Sequence, residues 1–209
     1  MNYSTDSDQI TLAIGRGRAL DNASPMLEKL GFKIPKTSST RALGFDIGQG
    51  VSLQVQRNWD VPTYVHEGAA DLGIVGNDII AEQPDIQVYM PLDLRISVCK
   101  LCIAAPAGTQ LPEYPRIATR HTVATKRWFQ AQGQSMQVIP LQGSLESAPA
   151  LGLADGICDL VETGRSLKEN NLELIHTILS VSARLIINKA SARWRMRAID
   201  RLIQRFADS

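Results

Sequence analysis

Four consecutive residues, Thr163, Gly164, Arg165 and Ser166, place two hydroxyls and a guanidinium around one glycine. Such a set is suited to an oxyanion, because every side chain in it donates hydrogen bonds and glycine lets the backbone come close. The apolar run before it, Gly156 to Val161, reads as a strand buried in a sheet. Ser166 followed by Glu169 has capping-box spacing, which predicts a short helix capped by Ser166 and ending near Asn170 and Asn171. Free N–H groups and the helix dipole at that end would also favour an anion. An ordinary strand-to-helix turn with a good cap accounts for the same residues. A second cationic turn, Gly15-Arg16-Gly17-Arg18, follows the apolar run Ile10–Ile14. A lone GxG is weak, but two arginines at a strand-to-helix junction are a better anion signal.

Other chemistries find little support. The three cysteines, Cys99, Cys102 and Cys158, do not form a disulfide framework. Cys99 and Cys102 make a CxxC within an apolar, strand-like run, where positions i and i+3 face opposite ways, so neither metal nor redox work is expected. His66, His121 and His176 are scattered, leaving no visible zinc set or nucleophile–base pair. Across 209 residues, 22 Lys and Arg nearly balance 21 Asp and Glu, which points away from nucleic acid and membrane surfaces. An anion site must then come from local placement of arginines. The polar start, Met1 to Gln9, lacks a signal-peptide core, and no run reaches transmembrane length, so a cytoplasmic protein is expected.

The elements that must carry these turns alternate between strand and helix. Strands are expected at Ile10–Ile14, from Ser52, at Asp71–Gly76, Arg116–Arg120 and Gln137–Gly143, and helices between them. Pro25 either opens its helix after Ser24 or kinks it. Asp60 is a candidate cap, with Pro62 in the first turn and Gly68 past the end. Two long strand-like runs, Leu92–Pro106 and Val181–Ala190, bracket about ninety residues and suggest one domain inserted into another. The last segment predicts one amphipathic helix with Trp194, Ala198, Leu202 and Phe206 on its apolar side. Arg197, Arg201 and Arg205 form a stripe that reads as a solvated face. Alternation of this kind predicts an α/β fold, two lobes with mostly parallel sheets, and a ligand cleft between them.

From Glu146 through Leu167 the chain resembles the ATP phosphoribosyltransferases that open histidine biosynthesis. Glu146, Gly152, Ala154, Ile157, Asp159, Thr163, Gly164 and Leu167 stand at that family's spacing, with Ser166 where threonine is usual. The likeness extends to Gly15–Arg18, Arg57–Asp78, Arg116–Arg120 and Ser182–Ser191. The resemblance implies a fold similar to type II periplasmic binding proteins, with an outer lobe of 1–92 plus 187–209 and an inserted lobe of 93–186. It implies condensation of ATP, through adenine N1, with phosphoribosyl pyrophosphate (PRPP), giving phosphoribosyl-ATP and pyrophosphate with Mg2+. No dedicated metal site is implied, the ion being carried by the substrates.

Adenine N1 is unprotonated at neutral pH, so its attack needs no general base. The protein must instead align two substrates and stabilise departing charge, which suits arginines and Mg2+. On this resemblance Thr163, Gly164, Arg165 and Ser166 hold the 5-phosphate of PRPP, while Asp159 and Glu162 face ribose hydroxyls or Mg2+. Asp159 could instead cap a local turn. Arg16, Gly17, Arg18 and Arg57 are candidates for pyrophosphate and ATP phosphates, with Arg18 and Arg41 acting on the departing charge. For Arg57, beside Asp60, a surface ion pair is the plain alternative. The family also implies a homodimer of catalytic chains. Ending at Ser209, the chain looks like the short form, which works with a regulatory subunit resembling histidyl-tRNA synthetase. A solute-binding protein of the same fold would be expected to carry an export signal. A nucleotide-sensing module would bind without turnover.

Overall fold

The computed structural model describes residues 9–35 and 42–208, which form two compact units. The first takes the described residues up to Ile80, then Pro84–Ser97, and those from Ser182 onward. The second takes Ala81–Gln83 and Val98–Val181.

The first unit is a six-stranded sheet built from β1 (Ile10–Gly15), β2 (Gly44–Gly48), β3 (Val51–Gln56), β4 (Leu72–Gly76), β5 (Val88–Asp93) and β11 (Ala183–Asn188). Its order is β2-β3-β1-β4-β11-β5, parallel across β3, β1 and β4 and antiparallel elsewhere. Alternation along β1 explains the two-sided core. Leu12 and Ile14 join α1 (Arg18–Lys29) and α8 (Met196–Ala207) through Leu20, Leu27, Ile199, Leu202 and Phe206. Ala13 faces the other way, toward Val61 and Val65 of α2 (Val61–His66). Beside them is α3 (Asn77–Ala81), which adds Ile79.

The second unit is a five-stranded sheet in the order β10-β6-β9-β7-β8. Its strands are β6 (Cys99–Pro106), β7 (Arg116–Thr119), β8 (Gln137–Pro140), β9 (Gly156–Val161) and β10 (Leu172–Val181). Parallel pairing joins β9 to β7 and β7 to β8, while β6 and β10 add antiparallel pairs. The helices are α4 (Thr122–Ala131), α5 (Ser147–Ala150) and α6 (Arg165–Glu169). The α/β reading holds, and both sheets are mixed, because the short β2 and the returning strands β10 and β11 pair antiparallel to their neighbours. Among the described residues no helix is long and apolar enough to cross a membrane.

Some local expectations change. Of the two readings of Pro25, the first-turn one is set aside, because Pro25 lies inside α1. The C-terminal helix is two helices, α7 (Lys189–Trp194) and α8, broken at Arg195. Trp194 is 81% exposed and leaves the apolar side, whose third buried member is Ile199 beside Leu202 and Phe206. Arg205 is not merely solvated: it donates to the Leu30 carbonyl and sits 5.1 Å over the Phe32 ring.

Candidate active site

The cationic turn after β9 begins with a left-handed residue. Gly164 has φ +73° and occupies the N-cap of α6, so the helix starts at Arg165. An L side chain at that φ would cost about 1–2 kcal/mol, which accounts for the glycine. Ser166 is therefore inside the first turn and is not the cap predicted from its spacing to Glu169. The left-handed glycine reverses the chain early, and the Ser166 hydroxyl instead donates to the Glu146 carboxylate, twenty residues upstream. The first-turn N–H groups have no intrahelical acceptor, and α6 has no side-chain cap. Thr163 Oγ1 lies 3.4 Å from the Arg165 N–H, and Glu162 and Thr163 are exposed. The Arg165 guanidinium pairs with Glu169 at 2.8 Å and is largely exposed, so it is not drawn over the loop.

Before this turn, β7 ends at Thr119 alongside Cys158, and β9 runs on three residues further to Val161. Thr119 is in register with Cys158, and its hydroxyl donates to the Cys158 carbonyl at 2.7 Å while accepting from the His121 N–H at 2.9 Å. Arg120, just past the end of β7, thus falls beside Asp159, which is still within β9 and pairs with Cys102 of β6. Burial raises the Asp159 carboxyl above its usual value, and the neighbouring Glu146 adds to the rise. The Leu160 N–H, Arg120 and His121 pull in the opposite direction. The Leu160 N–H donates to Asp159 Oδ1 at 2.8 Å, so part of the local turn-capping alternative is real. Arg120 Nε is buried and has no hydrogen-bond partner among the described residues.

The floor is fixed by other groups. Arg116 grips Asp155 through Nη2 at 2.7 Å and Nε at 3.2 Å, and donates from Nη1 to the Gly152 carbonyl, which pins the segment entering β9. Hydrogen bonds from Arg116 hold the Asp155 carboxyl below its usual range. Burial pushes the Cys158 thiol up to about 12, so it is no thiolate at neutral pH.

In the first unit, Gly17 has φ +72° and is the N-cap of α1, with Arg16 and Arg18 exposed on either side. Arg57 follows β3, whose last residue Gln56 is in register with Gly15, and the Arg16 N–H donates to the Gln56 carbonyl at 2.8 Å. Arg16 and Arg57 therefore stand at neighbouring strand ends. Among the described residues none of the three guanidiniums makes an ion pair, and the Arg57–Asp60 pair considered from sequence does not form. Three unpaired like charges in one place have electrostatic reason to take an anion.

Asp159, Glu162, Thr163, Gly164, Arg165 and Ser166 are thus gathered at one end of the second sheet, and Arg16, Gly17, Arg18 and Arg57 at one end of the first. Arg41 lies outside the described residues. Sequence reasoning missed Arg120 and the contact between Glu146 and Ser166. The usable signal for Arg120 was its place just past the carboxyl end of a parallel strand.

Residues 57–208 match the family model described as HisG: ATP phosphoribosyltransferase. A protein of Acidithiobacillus ferrooxidans named ATP phosphoribosyltransferase is 40% identical over 206 residues, covering 95% of this chain and 96% of its own. A solved structure, the ATP phosphoribosyl transferase (HisG:HisZ) complex from Thermotoga maritima, superposes with TM-score 0.83 at 32% identity, covering 96% of this chain and 98% of the other. The periplasmic aliphatic sulphonate binding protein SsuA of Escherichia coli shares the fold, with TM-score 0.64 at 10% identity over 96% of this chain and 68% of its own.

Proposed function

The chain belongs to the ATP phosphoribosyltransferase family, glycosyltransferases that join adenine N1 of ATP to the ribose of PRPP at the first step of histidine biosynthesis, and we propose the following division of labour among its residues. The turn Thr163–Ser166 holds the 5-phosphate, with Gly164 allowing close approach and the first-turn N–H groups donating. Arg165 exchanges its exposed Glu169 partner for the phosphate, an exchange that costs little because surface ion pairs are weak. Asp159 accepts hydrogen bonds from ribose hydroxyls, and Glu162 borders the same loop.

Arg16, Arg18 and Arg57 take the pyrophosphate and ATP phosphates, and Arg18 and Arg41 stabilise the charge that develops as pyrophosphate leaves. The ribose carbon turns cationic as its bond to pyrophosphate breaks, and the adenine N1 lone pair completes the transfer. No proton has to be removed from the nucleophile, so the work falls on alignment and charge stabilisation. Mg2+ held on the substrate phosphates would supply neutralisation of the departing charge, and Glu162 is the carboxylate of the chain that would help to hold it. Among the described residues no three His, Cys, Asp or Glu side chains are grouped as a metal site.

Reliance on cytosolic ATP and PRPP supports a cytoplasmic setting. The likeness to a structure titled as a HisG:HisZ complex supports a regulatory partner chain resembling histidyl-tRNA synthetase. The observation that carries the assignment is the Glu146–Leu167 pattern folded as a strand, a left-handed glycine and a helix, with Ser166 reaching back to Glu146.

The test is single-turnover kinetics on Arg18→Ala with ATP, PRPP and Mg2+. A group acting on the leaving pyrophosphate lowers the chemical rate by orders of magnitude and affinity by much less. An unchanged rate with weakened affinity would reduce Arg18 to a binding residue.

A further inference from the structure

Five arginines of the described chain are partly buried: Arg116, Arg120, Arg184, Arg195 and Arg205. Four have an acceptor, namely Asp155, Asp93, Asp71 and the Leu30 carbonyl. Arg120 is the exception. Its Nε is buried without a hydrogen bond, and among the described residues it forms no ion pair. Leaving a buried donor unmet costs about 1–3 kcal/mol, so a protein that keeps one usually supplies the partner another way.

The surroundings say what kind of partner. Thr119 in register with Cys158 sets Arg120, at the carboxyl end of β7, beside Asp159 of β9, and hydrogen bonds from Thr119 and to it hold that end in place. Asp159 is close enough for Arg120 to act on its charge, yet the two do not pair. A guanidinium fork beside, but not on, a carboxylate is left free to take a second anion while screening that anion from the carboxylate.

We propose that Arg120 is a further substrate-holding residue, whose guanidinium takes a phosphoryl oxygen of PRPP next to the ribose. This rests on the reading of Asp159 and the Thr163–Ser166 turn as the PRPP site. The phosphoryl oxygen can belong to the 5-phosphate or to the pyrophosphate, and binding of the two parts separates them.

The experiment is calorimetry of PRPP, ribose 5-phosphate and pyrophosphate, the last two with and without Mg2+, on the full chain and on Arg120→Ala, Arg120→Lys and Gly164→Val. Charge-assisted hydrogen bonds predict about a 10- to 100-fold weaker PRPP affinity for Arg120→Ala. Arg120→Lys, which keeps the charge and loses the fork, falls between. The Arg120→Ala melting temperature falls only slightly, because no hydrogen bond of the unliganded protein is removed and only the attraction to the Asp159 charge is lost. Loss on ribose 5-phosphate alone assigns the 5-phosphate, and loss on pyrophosphate alone assigns the leaving group. If Gly164→Val weakens PRPP while Arg120→Ala does not, Arg120 is not a substrate residue and the site reading survives. If Gly164→Val binds PRPP normally, the site reading itself fails. A weakened PRPP affinity in Arg120→Ala accompanied by a clear fall in melting temperature would make Arg120 structural and overturn the proposal. Should Arg120→Ala not fold, Arg120→Lys decides by the same comparison.

Discussion

Burial lifts the Asp159 carboxyl above its ordinary 3.8, and Glu146 nearby works the same way against Arg120, His121 and the Leu160 N–H. Between 3.8 and the raised value, the folded chain holds a proton that the unfolded chain has released. Stability from this group therefore falls as pH rises through that window, and above it the ionised carboxylate is a constant cost. Asp159→Asn keeps the shape and the acceptor for Leu160 and removes that charge. Its melting temperature is expected to exceed that of the parent at neutral pH, with the gain shrinking as pH is lowered toward 3.8. PRPP affinity should fall in the same variant, since a carboxylate accepts from ribose hydroxyls better than an amide. Melts of both chains across that range give the answer, and a less stable Asp159→Asn at neutral pH would mean that Asp159 is structural. The sequence marked Asp159 through its place in the Glu146–Leu167 pattern. What it did not reveal was Glu146 and Arg120 converging on it, because those contacts span 13 and 39 positions in sequence and depend on strand register.

At the scale of elements, the apolar runs that read as strands are strands, since a buried central strand such as Ile10–Gly15 or Gly156–Val161 needs nearly every side chain apolar. Strand direction was not legible. Whether β10 or β11 runs parallel or antiparallel to its neighbour is decided by the path of the whole chain and not by its own residues. The C-terminal helix was misread for a similar reason. Its 3.6-residue pattern is continuous, yet a long-range contact breaks it: Arg195 turns to Asp71 at 3.0 Å and to the Gln9 carbonyl. Asp71 is buried and also accepts from Thr11 N–H at 2.8 Å and Ser191 Oγ at 2.6 Å, so one carboxylate ties β1, β4, α7 and the helix break together. Asp71→Ala leaves those donors without an acceptor. Half-exposed Arg195 can rehydrate in part, so the loss is expected at roughly 2–3 kcal/mol rather than the larger value for a fully buried pair. Denaturant unfolding measures it, and a change under about 0.5 kcal/mol would show that the break at Arg195 is set by the helices themselves.

For the molecule as a whole, the first unit carries Arg16, Arg18 and Arg57, and the second carries Asp159 with the Thr163–Ser166 turn. The Acidithiobacillus relative is matched over 96% of its own length, and the Thermotoga chain, from a structure titled as a two-component complex, over 98%. If histidine feedback resides in a partner chain, it reaches the reacting groups only as a coupling free energy between separate sites. Such coupling is reciprocal: a factor by which histidine weakens substrate binding is the factor by which substrate weakens histidine binding. The chain by itself is then expected to ignore histidine. Adding the partner should raise activity and introduce inhibition, and histidine and substrate should weaken each other's binding by equal factors of about 5–150. Calorimetry decides it, with histidine titrated into the chain alone and into the complex, the latter with and without PRPP and ATP. Tight histidine binding by the isolated chain would place the regulatory site on this chain. Unequal factors would mean that binding at one site also changes how the two chains assemble, so that the coupling has to be measured together with the assembly equilibrium.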